Sequence, residues 1–164
     1  MITQYLNFFA RDHLEYIYRE IIPTENFTTS NYDSWDPSIV DESALVESLL
    51  LTDDNYLREY VEENLNVNLT GLSFLKWSKG SYIPWHDDHD HKWTGTVFLT
   101  RRWEERYGGW SIIQNPDNSL RIFLPEFNTA YTIDNTIPHS HCTTPTHCDY
   151  PVRYTLQMFG KKKP

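Results

Sequence analysis

Cysteine is scarce in this chain: two residues, Cys142 and Cys148, among 164. That excludes a disulfide-stapled scaffold and makes a reducing compartment the default expectation. Basic charge is scarce as well. Fourteen Lys and Arg against 23 Asp and Glu leave a formal net charge of -9, which excludes the phosphate-neutralising surface of a general nucleic-acid binder. The one basic run, Lys161-Lys162-Lys163, reads as a solvated end. Long apolar runs are missing: none approaches the ~18 residues of a membrane-spanning helix, and no basic segment followed by an apolar one opens the chain. The expectation is a cytoplasmic protein with no membrane or nucleic-acid partner. The sequons Asn26-Phe27-Thr28 and Asn68-Leu69-Thr70 are then chance matches. Repeats and low-complexity segments are also lacking, so residues 1–164 are read as one domain, long enough to bury a core.

What is present falls into two halves. Tyr5 to Ile22 reads as a strand or turn leading into a helix, with Leu14, Ile17, Tyr18, Ile21 and Ile22 on one face, Asp12 as N-cap and Pro23 as stop. Thr24 to Asp36 reads as a loop. A second helix is predicted over about Asp41 to Leu51, with Ala44, Leu45, Leu49 and Leu50 inward. A third is predicted over about Asp53 to Asn64, with Tyr56, Leu57 and Tyr60 as its stripe. After Asn68 the periodicity changes. Short β-type runs follow at 71–77, 82–86, 94–100, 109–114, 120–124, 129–134, 137–142 and 152–159, separated by turn signals such as Gly108-Gly109 and Pro116-Asp117-Asn118. Strands so spaced suggest a sandwich or double-sheet jelly roll. The fold class is therefore α+β, mainly β, with N-terminal helices packed on one face. Residues 1–68 form a helical part and lid, and 69–160 form the β core.

The chemistry concentrates in Trp77 to His91, WSKGSYIPWHDDHDH. On an extended strand, side chains at i and i+2 share a face, so His86 and Asp88 are placed to hold adjacent corners of one metal ion. A second imidazole would complete the ligand set of non-haem Fe(II) oxygenases. Ile137 to Cys142 supplies two candidates, His139 and His141. The plain alternative is that His86 to His91 is a polar loop between strands. Further on, Arg153 opens the apolar alternating strand 152–159. An Arg there is costly to bury unless it meets an anion, and its planar fork suits a carboxylate. That carboxylate is either a ligand's or a structural Asp or Glu.

The ordered set Tyr82, His86-x-Asp88, Thr96-Val97-Phe98-Leu99-Thr100, Trp103, Gly108-Gly109, His141, Pro145 and Arg153 resembles the Fe(II)- and 2-oxoglutarate-dependent dioxygenases, in their prolyl 4-hydroxylase-like branch. The likeness covers about Leu72 to Phe159. It implies a double-stranded β-helix (jelly roll) in which His86, Asp88 and a distal His bind Fe(II). His141, four residues before Pro145 and twelve before Arg153, is preferred, with His139 the alternative. Arg153 would anchor the distal carboxylate of 2-oxoglutarate, with Trp77, Phe98 and Thr155 around it. Trp77 and Phe98 stand where the family often has tyrosines, which removes two hydroxyl donors. Dioxygen is the second cosubstrate, and ascorbate is admitted as a reductant. Asp87, Asp90 or Thr143 would steady the His ligands. The implied substrate is a peptide or protein residue, proline first, with a small metabolite as the alternative. Trp35, Trp85, Trp93 and Trp110 would line an aromatic cleft for it, or else serve as packing.

Three other readings remain at this point. His86-x-Asp88-x-Asp90-His91 is a degenerate form of the motif of metallo-β-lactamase-like hydrolases. A jelly-roll module that keeps a metal for stability alone is a non-enzymatic reading. Cys142, Cys148, His141 and His147 could instead hold zinc. Oligomeric state is not legible.

Overall fold

The computed structural model describes residues 2–24, 26–29, 46–86, 88, 91–134, 140–148 and 151–164, with the backbone alone at Thr29, Ser140 and His141. Its elements in chain order are β1 (Ile2–Tyr5), α1 (Arg11–Tyr16) running into a π-helical turn (Ile17–Ile21), β2 (Thr28–Thr29), β3 (Glu47–Leu50) and α2 (Asn55–Leu65). Then come β4 (Val67–Trp77), β5 (Ile83–His86), β6 (Trp93–Phe98), a 3-10 turn (Glu105–Tyr107), β7 (Ser111–Gln114) and β8 (Leu120–Phe123). The last are β9 (Thr129–Asp134), β10 (Ser140–Thr143) and β11 (Arg153–Lys162).

The strands form two antiparallel sheets. One has seven strands in the order β1-β9-β6-β11-β4-β3-β2, the other four in the order β5-β10-β7-β8. From β4 onward the chain crosses repeatedly from the larger sheet to the smaller and back. This alternation is the winding of a jelly roll, and all eight strands expected after Asn68 are present.

The larger sheet is covered on both sides, and strand alternation sorts its residues. One set, including Leu72, Phe74, Val97, Ala130, Leu156 and Met158, packs with Ile17, Ile21, Leu57 and Val61 of the helices in the main core. The other set faces the smaller sheet and is partly polar: Thr94, Thr96, Thr155 and Arg153 are all buried. Phe98, Tyr131, Ile133, Ile113 and Phe123 fill the far part of that inter-sheet layer. Buried hydroxyls and a guanidinium thus replace part of the aliphatic packing that a sandwich normally places in such a layer, and groups of this kind are costly to bury without partners.

α2 follows its sequence closely. Asp54 caps it by accepting the Leu57 N–H at 3.0 Å, and Asn66 ends it in the left-handed region at φ 52°. Leu57 and Val61 are its buried stripe, whereas Tyr56 is 42% exposed and stacks on His13 at 4.5 Å. Ala10, not Asp12, is the N-cap of α1, and no side chain caps it.

One expectation is overturned. Glu47 to Leu50, read as helical, is a strand pairing with Ser73 to Lys76 of β4 on one side and with the two-residue β2 on the other. The unpaired edge of β4 outweighs local helix propensity. Leu51 N–H donates to Leu72 O at 2.9 Å, Lys76 meets Glu47 at 2.8 Å, and Leu50 is left 62% exposed rather than inward. β1 and β2 join the same sheet, so residues 1–68 are not a purely helical cap. Ala44, Leu45 and most of the expected lid lie outside the described residues. No described helix is long and apolar enough to cross a membrane.

Candidate active site

β5 lies at an edge of the smaller sheet, against β10. Pro84 sits inside β5, and an edge strand tolerates the missing N–H. The register pairs His86 with His141 and Ile83 with Thr143, so β5 carries one extra residue, a bulge. The bulge brings the Pro84 carbonyl to 2.8 Å from His86 Nδ1. A carbonyl only accepts, so Nδ1 carries the proton and Nε2 presents a lone pair. Nε2 faces Asp88 Oδ1 at 3.8 Å, both side chains being largely buried. The Asp88 backbone is held by a turn in which its carbonyl accepts the His91 N–H at 2.8 Å. An imidazole oriented by a backbone acceptor and converging with a carboxylate is an arrangement that could hold a metal ion, given further ligands.

The His141 backbone position is directly opposite His86. His139, Asp87, His89 and Asp90 lie outside the described residues. The supporting acceptor expected from Asp87, Asp90 or Thr143 is supplied for His86 by Pro84. His91 lays its ring on Phe159 at 4.3 Å. Among the described residues no three His, Cys, Asp or Glu side chains gather as a metal cluster, so neither Cys142 nor Cys148 joins His147 in one. Cys142 is half-buried, and burial pushes its thiol up to about 11, away from the thiolate zinc requires.

Arg153 opens β11 opposite Trp77 and is 1% exposed. Its guanidinium lies over the Trp77 ring at 3.7 Å, and the indole N–H donates to Thr155 Oγ1 at 3.0 Å. Trp77 is thus a fixed shelf for the cation. Arg153 Nε and Nη2 have no hydrogen-bond partner among the described residues. Burial pulls the guanidinium down to about 9, partly offset by the nearby Tyr131. A buried guanidinium of this kind could hold an anionic group through its planar fork.

The approach to Arg153 depends on Gly109, at φ 70°, where a Cβ would lie 2.8 Å from Arg153 Nε. Only glycine suits both the left-handed backbone and that contact. Phe98 and Thr155, aligned across β6 and β11, are buried beside the guanidinium's strand.

Of the tryptophans expected to line a cleft, Trp93 is buried in the helix-side core, a correction fixed by strand parity. Trp85 is 46% exposed on the opposite side of β5 from Pro84. Trp110 is half-buried, its indole N–H donating to Glu105 O at 3.1 Å. Trp35 lies outside the described residues. Sequence reasoning did not single out Tyr131, which is buried on the inner face of β9 opposite Thr96; burial raises its phenol, and the nearby Ser111, Thr96 and Arg153 oppose the rise. Its signal was the inward polar alternation of Thr94 and Thr96 beside Thr129 and Tyr131.

Neither a protein-family model nor a curated protein sequence matches the chain. Solved structures do. A Pseudomonas putida prolyl-4-hydroxylase is similar with TM-score 0.68 at 13% identity, over 99% of this chain and 93% of its own. An oxidoreductase of the 2OG-Fe(II) oxygenase family from Burkholderia pseudomallei gives 0.69 at 13%, over 99% and 87%. A Trichoplax adhaerens prolyl hydroxylase in complex with a hypoxia inducible factor oxygen degradation domain peptide fragment gives 0.71 at 13%, over 98% and 83%. The fold is the jelly roll of these oxygenases.

Proposed function

We propose that this protein is an Fe(II)- and 2-oxoglutarate-dependent dioxygenase that hydroxylates a C–H bond, with a prolyl residue of a peptide as the first substrate candidate. The observation that carries the reading is Arg153: a buried guanidinium, without partners at Nε and Nη2 among the described residues, on the face of the larger sheet opposite the smaller sheet that bears His86. The donor set fits the two groups. Imidazole and carboxylate suit Fe(II), with His86, Asp88 and His141 as ligands. His141 is preferred to His139 because its backbone is the register partner of His86. The Arg153 fork suits the distal carboxylate of 2-oxoglutarate.

When bound, Fe(II) supplies dioxygen activation coupled to oxidative decarboxylation of the cosubstrate. The chain's own residues do the rest. Pro84 holds the His86 tautomer, and Trp77 holds Arg153 in plane. Phe98, Ile113 and Phe123 keep the layer apolar around the charge. Trp85 and Trp110, exposed and half-buried, remain the candidates for substrate contact. The Trichoplax complex supports a peptide over a small metabolite. The fold match leaves the hydrolase reading without support.

The test is anaerobic titration of metal-free protein with Fe(II), then 2-oxoglutarate, followed by visible absorbance. A charge-transfer band requiring both, lost in His86→Ala and Asp88→Ala and weakened in Arg153→Ala, is expected. Absence of the band at saturation would favour the non-catalytic module, and unchanged cosubstrate affinity in Arg153→Ala would remove that anchor.

A further inference from the structure

Three arginines gather on the helix side of the larger sheet. Among the described residues, Arg11, Arg19 and Arg101 line a cavity of about 560 Å³ in which Glu15 is the one acid. Glu15 is already engaged, accepting the Arg11 Nε–H at 2.9 Å. Neither Arg19 nor the head group of Arg101 has a hydrogen bond or ion pair among the described residues. Two uncompensated cations thus meet at one cavity of a chain whose net charge is -9. Arg101 is held in place by the protein itself. Its guanidinium lies over the Tyr18 ring at 4.1 Å and 5.6 Å from the Phe127 ring. Tyr18 is fixed in turn: its hydroxyl donates to the Leu99 carbonyl and accepts the Arg101 backbone N–H at 3.3 Å. Thr100 Oγ1 accepts the Tyr154 N–H at 2.6 Å, which ties the same loop to β11. A guanidinium stacked by its face keeps its N–H edge for an acceptor. Beneath the exposed arginines, buried Phe9 and half-buried Leu14 and Tyr18 make an apolar floor.

We propose that this cavity binds a small organic dianion with a flat apolar body, an aryl phosphate or an aryl dicarboxylate. Arg19 and Arg101 hold its charges, and its ring sits against Phe9, Leu14 and Tyr18. The volume is that of a small-molecule site, and guanidinium forks pair with either kind of head group. The cavity is separate from the proposed metal and cosubstrate layer. Phe9, Leu14 and Tyr18 belong to the helix-side core, whereas Arg153 lies on the other face of the larger sheet. The inference therefore stands apart from the activity proposed above.

The experiment titrates the purified protein, with no metal or 2-oxoglutarate added, by calorimetry. The probes are phenyl phosphate and isophthalate, with inorganic phosphate for charge alone and benzamide for the ring alone. One or both aryl dianions should bind with a Kd of about 1 mM or tighter, and about tenfold tighter than either control. The tighter of the two names the head group. Combining Arg19→Gln with Arg101→Gln should weaken binding about tenfold or more. Arg102→Gln, beside Arg101 but outside the cavity lining, should leave it within about twofold. Glu15→Gln, which frees Arg11, should instead tighten it, and melting temperature checks that each variant is folded. No saturation by either dianion at about 20 mM would overturn the inference, as would binding that survives in the double variant. Equal affinity for inorganic phosphate or for benzamide would overturn it too, by showing that charge or ring alone suffices. None of these outcomes touches the cosubstrate assignment.

Discussion

Arg153 is charged in the folded protein at neutral pH, but its burial has consequences above it. Its folded-state value is about 9, well below that of the free group. Between those values the unfolded chain binds more protons than the folded one, so this group's contribution to stability rises with pH. Below about 9 the full penalty of the buried charge applies. Anion binding runs the other way, because it needs the charge. Affinity for 2-oxoglutarate should be flat up to about pH 8 and fall by up to about tenfold per unit above 9, as measured by titration at constant salt. A flat profile to about pH 10.5 would show that the bound anion keeps the guanidinium protonated, and Arg153→Ala would then be the test of the anchor. Gly109→Ala tests the same locus sterically. The added Cβ meets Arg153 Nε at 2.8 Å, and the φ of 70° adds about 1–2 kcal/mol of backbone strain. Both melting temperature and cosubstrate affinity should drop. At this scale the sequence was most readable where a residue was out of keeping with its surroundings: His86-x-Asp88 in a polar run, Arg153 in an apolar strand. Tyr131 was not, because an aromatic residue in a strand is indistinguishable from core packing until the face it occupies is known.

Among the elements, strands whose turns are written locally were legible, and those whose partners are distant were not. Gly108-Gly109 and Pro116-Asp117-Asn118 delimit strands by backbone chemistry, and Asn118 duly adopts φ 65°. Nothing within Glu47 to Leu50 announces that β4 needs a neighbour. The expected loop from Thr24 likewise contains β2, which exists only because β3 does. A comparable long-range device is Asn128, buried at φ 58° just before β9. Its side chain accepts the Phe9 N–H at 2.8 Å and donates to Phe9 O at 3.0 Å, and its backbone carbonyl accepts the Phe8 N–H at 2.9 Å. This one residue clasps the segment between β1 and α1 to the larger sheet. Asn128→Ala strands a buried donor and acceptor and should destabilise by about 2–4 kcal/mol, read from the urea midpoint. A change below 0.5 kcal/mol, roughly the surface-substitution level, would mean that the clasp is replaced by water.

For the whole molecule, the larger sheet carries the fold and the smaller one closes the site. β11 pairs along its length with β4 and with β6, and both are covered by the helix-side core. Amide hydrogen exchange should therefore be slowest in β4, β6, β9 and β11. It should be fastest in β8, an edge strand whose Leu120 and Ile122 are exposed. Slow exchange in β8 would imply an additional partner along that edge. Chelating the proposed metal should leave far-UV circular dichroism unchanged, since the main core does not include the proposed ligands. The alternation along β11 has a last consequence. Tyr154, Leu156 and Met158 lean on the helices, while Arg153 and Thr155 belong to the other side. Successive codons of one strand thus answer to different tests. A saturation scan should resolve into two interleaved series, one that moves expression and solubility and one that moves only turnover. A lineage can rewrite the second without disturbing the first, so the architecture can outlive any particular reaction it hosts.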